Sequence, residues 1–171
     1  MLERLSHQNM ADEITWHPTK FRTHTIGQIS ELGSSVVDTE VTICGFMEAN
    51  RGKGKICFID LRDGTGKIQV FLKQGEIPDD ELSLAQGLSR ESTIQITGKV
   101  AEKRPPKVPE GQPQPPTEYE VVASKFTLLT RAETPLPLGV TDDVSIGRAT
   151  RLHPRWLALR RAHVNALITL R

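Results

Sequence analysis

The sequence predicts a domain dominated by β-strands, with five strands and a single helix between the third and the fourth. Two observations carry this prediction. Apolar and polar residues alternate, with the period of a strand that is buried on one face, in five separate segments of the 171-residue chain. Between the third and fourth segments, residues 78–88 open with a proline and three acidic residues, which favours the first turn of a helix.

The first three strands have the clearest pattern. Alternation over residues 41–48 predicts strand one, which runs into a basic, glycine-rich segment at 51–55 that we expect to be a loop. Residues 57–72 predict a hairpin of strands two and three. One face of this hairpin carries six residues suited to a core: Cys57, Ile59, Leu61, Ile68, Val70 and Leu72.

The remaining elements complete the order of the fold. Residues 25–32 predict a short helix before the first strand, and residues 92–101 and 119–129 predict strands four and five. Three strands, a helix and two more strands form an OB-fold, a five-stranded Greek-key barrel whose second and third strands commonly meet nucleic acid or sugar. Residues 103–117 hold six of the eleven prolines and predict an extended, exposed loop between strands four and five.

The outer face of the predicted hairpin carries an aromatic residue among polar side chains. Phe58 and Gln69 point outward in the predicted register, whereas a slip of one residue would bury Phe58. An exposed aromatic side chain can stack on a base, which contributes about 1 to 3 kcal/mol, and a neighbouring amide can hydrogen-bond the base edge. We therefore expect a base-binding platform, with Lys53 and Lys55 contacting the RNA backbone.

The turn of this hairpin, Gly64-Thr65-Gly66-Lys67, shares its glycines and lysine with phosphate-binding loops. However, Ile68 stands where that motif requires Ser or Thr, and no long helix follows. A hairpin turn is therefore the better interpretation. We expect Gly64 and Gly66 to supply positive φ angles to it.

Two carboxylates, Asp60 and Asp63, flank Arg62 in the same hairpin. We expect them to pair with Arg62 or to stabilise the turn, and a catalytic pair of carboxylates stays open as the alternative. The five histidines are scattered, and no group of His, Cys or carboxylate residues has the spacing of metal ligands. We expect neither catalytic residues nor a metal site.

Charge and cysteine usage narrow the class of function. The formal net charge is only +1, but residues 51–73 hold six Lys or Arg against two Asp, which favours an anionic partner at that place. Cys44 and Cys57 lie in apolar patterns, which predicts free buried thiols in a reducing compartment. Because no long apolar run and no signal sequence occur, we expect a soluble, cytoplasmic protein without a membrane partner.

Three parts of the chain are predicted along its length. They are an N-terminal extension at 1–24, the OB-fold at 25–130, and a linker with the start of a further domain at 131–171. In the last part, Pro154 is expected in the first turn of a closing helix whose apolar face packs on a following domain or a partner subunit. We expect the 171 residues to come from a longer protein. The apolar residues of that helix are Leu157, Val164, Leu167 and Ile168.

Three segments resemble the class II aspartyl-tRNA synthetases. They read FIDLRDGTGKIQV at 58–70, STIQITGKV at 92–100 and RAETPLPL at 131–138, and the resemblance covers about residues 39–171. The hairpin segment is shared with the related lysyl and asparaginyl enzymes. The segment at 131–138 favours the aspartyl enzymes.

In that family the N-terminal OB-fold binds the anticodon of the tRNA. The resemblance implies that Phe58 stacks on the middle uridine of the aspartate anticodon and that Gln69 hydrogen-bonds it. It further implies that Glu120 contacts the first anticodon base and that Arg51 lies near the anticodon. The parent enzyme would be a homodimeric aspartate-tRNA ligase that uses ATP and magnesium to charge tRNA-Asp. This segment itself would bind tRNA, need no cofactor and catalyse nothing.

Two alternatives belong to other classes of function. The first is a free-standing, single-stranded nucleic-acid-binding OB-fold protein with no enzymatic parent. The second is a protein-interaction module that acts through the proline-rich loop and the basic C-terminal tail, residues 144–171, which hold six Arg and no acidic residue. In that case Phe58→Ala would leave partner binding unchanged. Whether the parent also charges tRNA-Asn stays open at the level of the sequence.

Overall fold

The computed structural model describes residues 21–105, 116–141 and 145–170. The predictions that fall on 1–20 and 106–115, which include most of the N-terminal extension and the centre of the proline-rich loop, lie outside these ranges. The elements of the first part are α1 (Ile26–Leu32), a turn of 3-10 helix (Gly33–Val36), β1 (Glu40–Lys53), β2 (Ile56–Arg62), β3 (Lys67–Lys73), α2 (Asp79–Gln86), β4 (Thr93–Glu102) and β5 (Tyr119–Thr130). The described C-terminal residues add α3 (Arg148–Leu152), α4 (Arg155–Ala158) and α5 (Ala162–Thr169).

The five strands close into a barrel in the order β1-β2-β3-β5-β4, and β4 pairs in turn with β1. β3 and β5 run parallel and share three residue pairs, whereas the other neighbouring strands are antiparallel. Helix α2 lies between β3 and β4 in the chain. The predicted five-stranded OB-fold with one helix between strands three and four is therefore confirmed.

The barrel interior is filled by the residues that the strand alternation predicts. All six inward residues of the β2–β3 hairpin are buried, and Ile59, Leu61 and Val70 have no exposed surface. Burying one large aliphatic side chain contributes about 1.5 to 3 kcal/mol, and a shift of one residue would expose the whole set. The predicted register of the hairpin is confirmed, and Phe58 lies on the outer face.

Strand β1 is longer than predicted, so the expected loop at 51–55 is wrong. Residues 51–53 continue the strand and pair with the start of β2, which leaves a turn of only two residues, Gly54 and Lys55. Gly54 has a φ of 62°, in the left-handed region that favours glycine. A β-bulge between Met47 and Ala49 shifts the register ahead of this extension. The strand continues because pairing with β2 satisfies its backbone hydrogen bonds.

The turn between β2 and β3 is held by a side chain rather than by its glycines. Neither Gly64 nor Gly66 has a positive φ, so that expectation is wrong. Instead, Asp63 Oδ1 accepts hydrogen bonds from the main-chain N–H groups of Thr65 (2.7 Å) and Gly66 (2.9 Å) and from the Thr65 hydroxyl (2.7 Å). Asp63 Oδ2 accepts from the N–H of Ile26 at 3.0 Å, which ties the turn to the start of α1.

The chain divides into two compact units, with the boundary between Arg131 and Ala132. The second unit has a small apolar cluster of its own, built on Leu138, Leu157 and Ala158. None of the helices in the described residues is long and apolar enough to cross a membrane.

The second unit does not contain the single closing helix that the sequence predicts. Pro154 precedes α4 as its N-cap, after α3 has ended. Arg161 then adopts an extended backbone (ψ 134°) before α5, and its side chain is buried while Nη1 donates to Gly139 O at 2.8 Å. The helix is therefore interrupted between Ala158 and Ala162, although the apolar spacing would allow it to continue. Leu167 and Ile168 of α5 are at least half exposed.

Candidate nucleic-acid interface

The outer surface of four adjacent strands brings together the residues predicted to bind nucleic acid. Arg51 of β1 lies opposite Phe58 of β2, and Gln69 of β3 lies opposite Glu120 of β5. The hairpin register places Phe58 and Gln69 on the same side of the sheet. We call this surface the recognition face. It consists of Arg51, Phe58, Asp60, Gln69, Phe71 and Glu120.

An aromatic pair occupies the centre of the recognition face. The rings of Phe58 and Phe71 lie 5.0 Å apart between centroids, with an angle of 30° between their planes. Such an offset stack fixes both rings and widens the apolar surface that is available to a base. Phe71 was not among the predicted site residues. The hairpin register could have identified it, because Phe71 is the direct cross-strand partner of Phe58.

Asp60 is a second residue of this face that the prediction did not include. It lies opposite Gln69, and its Oδ1 accepts from Arg51 Nη2 at 2.7 Å. Of the two options expected for Asp60 and Asp63, stabilisation of the turn is confirmed for Asp63, whereas Arg62 forms its ion pairs with Glu91 and Glu48. A surface ion pair such as Arg51–Asp60 contributes at most about 1 kcal/mol to stability, so Arg51 can exchange this partner for an RNA group at little cost.

At the β3–β5 junction, the polar side chains of Gln69 and Glu120 are partly buried. Burial raises the pKa of the Glu120 carboxyl above its usual value, and the positive charges of Lys103 and Arg104 oppose that rise. Beside Gln69 lies a cleft of about 450 Å³. Its lining includes Ser30, Asp60, Lys67, Gln69, Lys103 and Tyr119.

The lysines around the recognition face fall into two groups. Lys67 and Lys103 each form a 2.6 Å ion pair, with Glu48 and Glu118 respectively. Lys53 and Lys55, at the β1–β2 turn, are exposed and form no ion pair within the described part of the chain. Their ammonium groups are therefore the ones available to phosphates without breaking an existing pair.

The tRNA anti-codon family, described as an OB-fold nucleic acid binding domain, matches residues 41–129. The chain belongs to this family. The match spans β1 to β5 and so contains the whole recognition face.

Relatives of this OB domain are synthetases. The chain is 34% identical over 150 residues to an aspartate–tRNA(Asp/Asn) ligase of Methanococcoides burtonii, which covers 88% of this chain and 31% of that protein. It is 37% identical over 131 residues to the corresponding ligase of Haloferax volcanii, covering 77% of this chain and 28% of that protein. The chain thus spans about a third of the length of these relatives. The predicted resemblance to aspartyl-tRNA synthetases is confirmed.

The fold of the OB domain also recurs in solved synthetases. The aspartyl-tRNA synthetase of Entamoeba histolytica superposes with a TM-score of 0.68 at 26% identity, over 82% of this chain and 33% of that one. Asparaginyl-tRNA synthetase from Pyrococcus horikoshii, at 19% identity and a TM-score of 0.67, shares the fold.

The two thiols of the OB domain differ in their surroundings. Both cysteines are free, but only Cys57 is fully buried, while Cys44 is half-buried on the outer side of β1. Burial raises the pKa of the Cys57 thiol to about 11. Burial also raises the pKa of Cys44, against the opposing effects of Arg22 and Gln95. Within the ranges that the structure describes, no group of three His, Cys, Asp or Glu residues could hold a metal ion.

Proposed function

We propose that this chain is the anticodon-binding domain of an aspartate-tRNA ligase and binds the anticodon loop of tRNA-Asp. The observation that carries the proposal is the stacked pair of Phe58 and Phe71, flanked by Gln69 and Arg51, on the face of a barrel of this family. Single-stranded bases are bound by this combination of an aromatic surface with neighbouring polar groups.

Each residue of the recognition face has a distinct part in the proposed complex. Phe58 stacks on the middle uridine, and Phe71 supports its ring from the neighbouring strand. Gln69 hydrogen-bonds the edge of that uridine, which supplies the base selectivity that stacking lacks. Glu120 accepts a hydrogen bond from the first anticodon base, and Arg51 contacts the anticodon from the other side of the platform.

Charge supports the same arrangement. Lys53 and Lys55, which form no ion pair with the residues that the structure describes, extend from the β1–β2 turn and contact phosphates, whereas the paired Lys67 contributes little to RNA binding. With a net charge of only +1 for the whole chain, RNA is attracted by this local cluster rather than by the overall field.

The proposal extends to the wider activity of the parent protein. The parent attaches aspartate to tRNA-Asp with ATP and magnesium, works as a homodimer and acts in the cytoplasm. The 171 residues by themselves bind the anticodon loop without catalysing aminoacylation. The alternative of a free-standing nucleic-acid-binding protein has no support among the relatives found, which are synthetases about three times as long as this chain.

The decisive experiment measures affinity for an aspartate anticodon stem-loop and for one in which cytidine replaces the middle uridine, at one fixed salt concentration. Phe58→Ala should weaken uridine binding roughly 5- to 150-fold, the equivalent of about 1 to 3 kcal/mol, and should remove most of the preference for uridine.

Phe21→Ala provides the matched control, because Phe21 is another phenylalanine on the surface, more exposed than the partly buried Phe58, and its carbonyl accepts hydrogen bonds from Cys44 of β1 and Gln95 of β4. This variant should keep both the affinity and the preference of the wild type. Equal binding of both RNAs by the wild type and by Phe58→Ala would contradict anticodon reading through this face.

A further inference from the structure

The C-terminal end of α2 lies against the β1–β2 turn and binds its main chain. Gln86 Nε2 donates to Gly54 O at 2.9 Å and to Ile56 O at 3.3 Å. Between these two carbonyls, Lys55 O accepts from the N–H of Gln74 at 2.9 Å. The two carbonyls of the turn and that of Ile56, the first residue of β2, are therefore hydrogen-bonded to groups outside the turn, and two of the three share the Gln86 amide.

The contact is reciprocal, because β1 also binds the end of the helix. Asn50 Nδ2 donates to Ala85 O at 2.7 Å and to Gln86 O at 3.1 Å, two of the carbonyls that a helix leaves without internal partners at its C-terminus. Asn50 Oδ1 in turn accepts from Cys57 Sγ at 3.2 Å. The turn and the helix end thus fix each other.

The glycines of the basic segment fit this contact. A Cβ on Gly52 would lie 2.6 Å from Gln86 Cγ, closer than real Cβ atoms come to any neighbour, so the absence of a side chain makes room for Gln86. Gly54 permits the positive φ at which its carbonyl reaches the Gln86 amide. The segment can therefore sit on α2 while Lys53 and Lys55 remain exposed.

We propose that Gln86 is a positioning residue for RNA binding, which fixes the β1–β2 turn so that Lys53 and Lys55 are held ready to contact phosphates. This inference rests on the proposed function. Without these hydrogen bonds the turn would sample several conformations, and the ammonium groups of Lys55 and of the adjoining Lys53 would spread over a wider volume. The entropic cost of ordering the turn on binding would then weaken association. A turn that is already ordered in the free protein avoids this cost.

The test uses Gln86→Met, which keeps the length of the side chain and removes both donated hydrogen bonds. Affinity for the aspartate anticodon stem-loop is measured at low salt in the wild type and in a Lys53→Ala, Lys55→Ala background. We expect Gln86→Met to weaken binding about three- to tenfold in the wild type and to have no effect in the background without the two lysines. It should also reduce the slope of log affinity against log salt, a quantity that a general loss of stability leaves unchanged.

Gln74→Met is the matched control, since Gln74 reaches the turn only through its main-chain N–H and should bind RNA like the wild type. Gly52→Ala displaces Gln86 by a different route and should reproduce the effect of Gln86→Met. Circular dichroism at the assay temperature establishes that each variant is folded.

Several outcomes would overturn the inference. They are unchanged affinity in Gln86→Met, an equal loss with and without the lysines, or wild-type affinity in the variant lacking both lysines. The proposed function fails separately, when the wild type shows no uridine preference that depends on Phe58. If the uridine preference persists while Gln86→Met binds RNA like the wild type, only the positioning role of Gln86 is contradicted.

Discussion

Strand β2 is flanked by two turns with the same pattern of glycines and lysine, yet the two are built differently. In Gly52-Lys53-Gly54-Lys55, a glycine adopts a positive φ and the main chain is held by Gln86 of a helix. In Gly64-Thr65-Gly66-Lys67, neither glycine does so, and Asp63 holds the main chain from within the turn. The pattern of glycines and lysine is thus compatible with both conformations, and the polar side chain that binds the turn distinguishes them.

The largest expected effect comes from removing the side chain that holds the second turn. Asp63→Ala leaves the N–H groups of Ile26, Thr65 and Gly66 without their acceptor, which should lower the free energy of unfolding by about 2 to 3 kcal/mol. Urea unfolding measures this change in the free energy of unfolding. Asp60→Ala, which removes only a surface ion pair, should cost less than about 1 kcal/mol. Equal losses in the two variants would show that Asp63 does not hold the turn.

The next largest expected effect is on RNA binding, and it distinguishes the lysines of the two turns. Lys53→Ala combined with Lys55→Ala should weaken binding of the anticodon stem-loop about tenfold at low salt and lower the salt slope by about 1.4, at roughly 0.7 per single-strand phosphate contact. Lys67→Ala should leave both quantities near their wild-type values, because Lys67 is paired with Glu48. Binding titrations over a series of salt concentrations provide the measurement. A similar change in slope for Lys67→Ala would mean that the ion pair does not withhold this lysine from RNA.

The smallest expected effect comes from replacing one glycine of each turn by alanine, which tests the backbone conformation of the two turns. Gly54→Ala should destabilise the protein by about 1 kcal/mol because of its positive φ, whereas Gly64→Ala should change stability by less than about 0.5 kcal/mol. An added Cβ meets no atom within 4 Å at either position, so packing does not confound the comparison. Thermal or urea unfolding of the pair measures the difference. Equal stabilities would indicate that the first turn relaxes to another conformation.

The strands and their register could be predicted because burial repeats every second residue along them. Ile59, Leu61 and Val70 have no exposed surface, and a shift of one residue would place all of them in water. This periodicity also placed Phe58 on the outer face. The position of Glu120 beside Gln69 depends on how the chain returns after a proline-rich loop, and the resemblance to a known family, rather than the periodicity, indicated it.

Contacts between residues distant in sequence could not be predicted in this way. Asp63 accepts from the main chain of Ile26, and Gln86 donates to that of Gly54, across separations over which local patterns carry no information. The same limit explains why the prediction of a single closing helix at the C-terminus is wrong. Apolar spacing favours one continuous helix, but the chain leaves the helical conformation after Ala158, and the extended Arg161 donates to the distant carbonyl of Gly139. Polar side chains that bind a distant main chain therefore account for much of what the sequence pattern missed.

The parallel pairing of β3 with β5 closes the barrel through three residue pairs, and one of these is Gln69 with Glu120. The other neighbouring strand pairs are longer, so local opening of the barrel should be easiest at this junction. On the proposed function, adjacent bases of one RNA bind to the two strands that separate in such an opening. Bound RNA would then slow amide hydrogen exchange in β3 and β5 more than in β1 and β4, which makes barrel opening and RNA release thermodynamically linked.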